Sequence, residues 1–115
     1  MGSADGIDQW IRPGPNGLEV NAGARFHIDA LRASEFVVVT HGHADHARPG
    51  HGRVIATPET LAIMAARYGE NFTAEATPLP YHQDMVLGDT TIRLVPAGHV
   101  LGSAQVVIDL SLIHI

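Results

Sequence analysis

Apolar positions fall in short runs divided by turn-forming residues, and one stretch changes to helical period. LEVNA (18–22) and RFHIDA (25–30) are short β-prone runs on either side of Gly23, which predicts a hairpin. FVVVT (36–40) is a continuous β-branched run, which predicts a strand buried on both faces. RVIAT (53–57) makes another short strand. In the PETLAIMAARYG that follows, Leu61, Met64, Ala65 and Tyr68 recur at helical spacing. Thr57 suits the N-cap, Pro58 the first helical position and Gly69 the stop, so a helix of about three turns is expected. FTAEATPLP (72–80) can carry a strand, DMVLGDTTIRLVPA (84–97) reads as two strands around a turn at Gly88 and Asp89, and AQVVIDL (104–110) is the last strand.

Many strands with one helix and no internal repeat fit one half of a layered α/β or α+β sandwich. The 115 residues allow a single modest core, and 45% hydrophobic with 17% charged residues is the balance of a folded domain. The net charge is −5 and the 7 Lys and Arg form no run, which argues against a module that holds nucleic acid by a basic stripe alone. Without Cys there is neither disulfide nor thiolate-ligated metal. Residues 1–17 have no cationic start or apolar h-region and no apolar run reaches spanning length, so a cytoplasmic protein with no membrane association is the expectation. LSLIHI (110–115) back-translates as CTG TCT CTT ATA CAC ATC, which resembles a transposase-type sequencing adaptor. We therefore expect residues 1–109 to be a partial domain, residues 110–115 to be a non-native tail in which His114 has no role, and the natural protein to continue.

The chain has 8 His, and several sit where chemistry is expected. His41-Gly42-His43-Ala44-Asp45-His46 puts three imidazoles and a carboxylate just past the buried run. On an extended stretch, residues two apart project to one side, so His41 and His43 can face one metal, while Asp45 and His46 face a second position around the following turn. The small Gly42 and Ala44 leave room for the backbone to bend. Imidazole with carboxylate suits Zn²⁺, or Mn²⁺ and Fe where carboxylates dominate. A second piece, PAGHVLGSA (96–104), also ends an apolar strand, and its His99 would complete a three-His face with His41 and His43. Gly98 and Gly102 there permit close backbone approach. His27 reads as a half-buried strand residue, His51 as a solvated loop residue near the mouth, and His82 as loop. Arg48 is either a phosphate contact or a plain surface cation.

HGHADH and PAGHVLGSAQ resemble motifs of the metallo-β-lactamase superfamily, particularly its nucleic-acid-processing β-CASP branch. THGHADHARPG with PAGHVLGSAQV is similar to bacterial ligase-associated DNA exonucleases and mRNA 3′-end processing factors, over about Gly17 to Asp109. The resemblance implies the N-terminal half of an αββα sandwich, truncated here. It places His41, His43 and His99 on one metal and Asp45 and His46 on a second, with two divalent ions, Zn or alternatively Mn, as cofactors. Asp29 would support the site by hydrogen bonding without ligating metal. The implied activity is phosphodiester hydrolysis of DNA or RNA, with Asp45 as catalytic residue orienting the attacking hydroxide and taking its proton. Functional association with a DNA ligase is implied by the resemblance alone. The family's bridging aspartate, a later histidine and the β-CASP insert have no counterpart: Asp109 comes too early and Asp89 precedes His99. The 115 residues are therefore expected to be inactive by themselves. Two alternatives stay open, a small-molecule hydrolase of thioester or lactam type and a non-catalytic metal-binding subunit. Substrate contacts, DNA against RNA, and exonuclease against endonuclease are undecided by the residues.

Overall fold

Val37, Val38 and Val39 are all fully buried, and the pleat of a strand sends successive side chains to opposite faces. Val38 joins a core with Val20, Phe26, Ile28, Ile55, Ile92 and Leu94. Val37 and Val39 join another with Ala30, Val54, Ala56, Met64 and Phe72. The run is apolar throughout because neither face meets water, as expected of a central parallel strand.

The computed structural model describes residues 10–21, 24–44, 46–98 and 101–110, and in it these two cores lie on opposite faces of a six-stranded sheet. Its strands, in spatial and chain order, are β1 (Ile11–Gly14), β2 (Gly17–Asn21), β3 (Arg25–Ile28), β4 (Phe36–Val38), β5 (His51–Ala56) and β6 (Thr73–Pro78). Pairing is antiparallel from β1 to β3 and parallel from β3 to β6. A three-stranded antiparallel sheet follows, β7 (Asp84–Leu87), β8 (Thr90–Pro96) and β9 (Ala104–Leu110). Its Ile92, Leu94 and Ala104 complete the first core. Helix α1 (Pro58–Tyr68) links β5 to β6 and covers the second face through Met64, with Leu61, Ala65 and Tyr68 packed around it.

The helix has the expected ends. Thr57 accepts a hydrogen bond from the Thr60 amide at 3.2 Å, Pro58 opens the first turn and the Gly69 amide donates to the Ala65 carbonyl at 2.8 Å. Such an N-cap contributes about 1 kcal/mol. Pairing of Leu87 with Thr90 leaves Gly88 and Asp89 as the expected two-residue turn. The β2–β3 pairing is also the expected hairpin, although residues 22 and 23 lie outside the described residues.

Two features differ from expectation. IRPG pairs with β2 as β1, and Pro13 is accommodated because this is an edge strand, where a missing N–H need not break a ladder bond. His51 is not a solvated loop residue: it is the first residue of β5, pairs with Thr73 and is 2% exposed. The fold is thus mixed α/β, mostly strands with one helix among the described residues, and is compatible with a partial metallo-β-lactamase-like fold. No described helix is long and apolar enough to cross a membrane.

A parallel pair cannot be joined by a tight turn. The chain therefore needs residues 39–50 to return from the end of β4 to the start of β5, and HGHADH lies on that crossover. This puts the motif beyond the carboxyl ends of parallel strands, where α/β sheets generally leave a crevice for ligands.

Candidate metal centre

Asp29 follows the last residue of β3, and its φ of 53° turns the chain out of the sheet. Aspartate tolerates this left-handed conformation better than most residues. The Asp29 amide still donates to the Val38 carbonyl at 2.9 Å, so the residue is held beside the end of β4. Its carboxylate accepts three hydrogen bonds there. Oδ1 takes the Thr40 amide at 2.8 Å, while Oδ2 takes the Thr40 hydroxyl at 2.6 Å and lies 3.0 Å from His46 Nδ1. The Thr40 Oγ1 is also 2.8 Å from His41 Nδ1. One carboxylate thus reaches His46 directly and His41 through one hydroxyl.

The imidazoles of the motif lie close together. The His41 and His43 ring centroids are 4.8 Å apart at 80°, and those of His41 and His46 are 4.2 Å apart at 41°. The amides of His46 and Ala47 both donate to the His43 carbonyl, at 2.9 and 2.8 Å, which closes the turn that brings His46 back over His41. Gly42 is buried against the helix, where an added Cβ would stand 2.8 Å from Ile63 Cγ2. From the same helix, Arg67 Nη1 donates to the Gly42 carbonyl at 2.5 Å. The helix therefore fixes the backbone between the first two histidines. Sequence reading missed both Thr40 and Arg67. Thr40 carried one signal, a hydroxyl at the junction of buried strand and first histidine, whereas nothing local marks Arg67.

The second motif is brought to the first by hydrogen bonds made by the residues that follow His99. The Ala104 amide donates to the Thr40 carbonyl at 2.8 Å, tying the start of β9 to the residue before His41. The Gly102 carbonyl accepts from the hydroxyls of Thr57 and Thr60 at 2.8 and 3.1 Å, so the loop is seated on the helix N-terminus. The Tyr81 phenol donates to the Ser103 carbonyl at 2.5 Å, and burial, with Glu59 nearby, raises its pKa above the ordinary tyrosine value. His99 and Asp45 lie outside the described residues.

Donor atoms of Asp29, His41 and His46 lie within 4.8 Å of one another, and the three residues are half-buried. Imidazoles with a carboxylate are the donor types that Zn²⁺, Mn²⁺ or iron takes. Both Asp29 oxygens are engaged by Thr40 and His46, so it is the imidazoles that fit a divalent ion, with Asp29 holding them. An apolar cleft of about 390 Å³ opens beside them, walled by Pro13, Leu18, Ile28 and Leu31 and reaching Asp29 and His46. Histidines outside the motifs behave differently. His27 is half-buried on β3, and His82 is in a turn with a φ of 67°. In His51, Nδ1 accepts from the Ser34 amide at 3.1 Å, leaving Nε2 as a buried donor with no partner among the described residues. Burial first, and then neighbouring His27, lower its pKa below the ordinary histidine value. Arg48 is exposed.

No family model matches the chain. A curated protein named "Probable DNA ligase" from Opitutus terrae is 33% identical over 83 residues, which are 71% of this chain. The chain spans only 8% of that protein's length. Among solved structures, CmlA, a diiron beta-hydroxylase from Streptomyces venezuelae, superimposes with a TM-score of 0.57 over 87% of this chain and 27% of the other, at 13% sequence identity. That likeness is one of fold. Together with the clustered Asp and His donors, it places a possible metal site on an architecture shared with a metal-dependent enzyme.

Proposed function

We propose that the chain is the metal-binding N-terminal part of a metallo-β-lactamase-type hydrolase of the β-CASP-like branch, and that the whole protein cleaves phosphodiester bonds in DNA or RNA. The observation that carries the reading is the clustering of His41 with His43 and His46, with Asp29 beside His41 and His46, at the carboxyl ends of β3 and β4. The part-length similarity to a protein named as a DNA ligase favours a nucleic-acid substrate. In this reading the four-layer αββα sandwich is completed by residues beyond this chain.

His41, His43 and His99 would hold one divalent ion, and Asp45 and His46 another. Two such ions supply a water acidic enough to be deprotonated near neutral pH and offset charge on phosphoryl oxygens. Asp29 orients the imidazoles: a carboxylate that already accepts from Thr40 twice and from His46 is committed to holding its neighbours. Asp45 takes the proton from the attacking water. Zn²⁺ and Mn²⁺ are the ions to supply first, and the diiron character of CmlA adds iron to those assayed.

The test is hydrolysis of end-labelled single-stranded DNA and RNA by the metal-loaded full-length protein, beside a thioester and a lactam substrate. Cleavage of one polymer, reduced at least 100-fold in His43→Ala, is the expected result. Turnover of a small substrate with both polymers intact would replace the nuclease reading by a small-molecule hydrolase. Metal binding with no turnover of any substrate would favour the non-catalytic alternative.

A further inference from the structure

We propose that Thr40 is a positioning residue that sets the tautomer of His41, and so determines which ring nitrogen is offered to a metal. The inference deepens the metal-site reading and rests on it. It follows from counting protons. A carboxylate can only accept, and a threonine hydroxyl has one proton to give. With Thr40 Oγ1 at 2.6 Å from Asp29 Oδ2, that proton must lie between them, because otherwise two oxygen lone pairs would face each other at that distance. Thr40 Oγ1 can then only accept from His41 Nδ1, 2.8 Å away, so Nδ1 carries the ring proton and the lone pair is on Nε2. His46 reaches the same state without an intermediary, since its Nδ1 lies 3.0 Å from the carboxylate and must donate to it. One aspartate thereby fixes two imidazoles in one tautomer, and Thr40 carries its reach to His41. The Thr40 amide on Oδ1 and its carbonyl on the Ala104 amide hold the residue from both sides, which fixes the position of the hydroxyl.

The experiment compares full-length wild type with Thr40→Val, which keeps the shape and loses the hydroxyl, and Thr40→Ser, which keeps the hydroxyl. Long-range ¹H–¹⁵N NMR of the metal-free proteins reads the His41 tautomer, and competition with a chromophoric chelator reads Zn²⁺ affinity. We expect the His41 proton on Nδ1 in wild type and Thr40→Ser, its move toward Nε2 in Thr40→Val, and Zn²⁺ affinity lowered about 10- to 100-fold in Thr40→Val alone. A wild-type His41 protonated on Nε2 would overturn the inference even if the valine variant failed to fold. So would Thr40→Val matching wild type in both readouts, or Thr40→Ser being as impaired as Thr40→Val. Absence of Zn²⁺ binding in wild type would refute the metal site instead, with the tautomer measurement still deciding the role of Thr40.

Discussion

The buried imidazole of His51, at the start of β5, couples the stability of the fold to pH. The residue stands between Gly50 and Gly52, a setting typical of loops, yet the β5–β6 pairing begins on it and buries its ring. Nothing local reveals this, because the pairing partner Thr73 is far along the chain. The energetic consequence has a definite sign. With the folded-state pKa lowered by burial and His27, the unfolded chain binds protons more readily, so the contribution of neutral His51 is present above the ordinary histidine pKa of about 6.5 and is lost as pH falls from there toward the lowered folded value. His51→Asn keeps an acceptor near the Ser34 amide and cannot titrate. Urea unfolding of the metal-free protein between pH 7.5 and 5 should show a smaller acid loss in the variant than in wild type, and parallel curves would remove His51 as the cause. The motif residues were far more legible than His51. Three histidines and an aspartate at HxHxDH spacing leave few other readings, and the structure brings the described imidazoles together. Thr40 was hidden because its importance depends on Asp29, which arrives from another strand.

Elements were legible in proportion to how locally they are specified. α1 has its cap, its proline and its stop written in adjacent residues, and FVVVT has its burial written in its composition. β1 was missed because Pro and Gly normally break strands, and only its edge position makes them acceptable. The seating of the PAGHVLGSA loop on α1 was equally hidden, being an arrangement between distant segments. That seating depends on Gly102. Its φ is 80°, and an added Cβ would fall 2.8 Å from Glu59 Cβ and 2.9 Å from both Thr57 Oγ1 and the Thr60 amide nitrogen. The last of these is backbone at the helix start and cannot step aside cheaply. Gly102→Ala should therefore cost at least ~1–3 kcal/mol from the left-handed conformation alone, and more from the clash. A lower denaturation midpoint, with weaker binding of the ion assigned to His99, is the expected outcome. A variant as stable as wild type, with wild-type metal affinity, would show that the loop does not depend on this contact.

At the scale of the whole molecule, two sheets and a helix serve to bring three separate stretches of sequence to one place. The end of β3 supplies Asp29, the β4–β5 crossover supplies His41, His43 and His46, and the loop before β9 is tied to Thr40 and to the helix N-terminus. The sheet order and the two cores were only partly legible, since apolar runs announce strands without naming their partners. Elemental analysis of the full-length protein, with His41→Ala and His99→Ala prepared in parallel, tests the central claim most directly. The account predicts about two divalent ions per chain in wild type, as a two-metal hydrolase requires, and loss of metal in both variants. A wild-type protein without stoichiometric metal, or variants that retain it in full, would contradict the account.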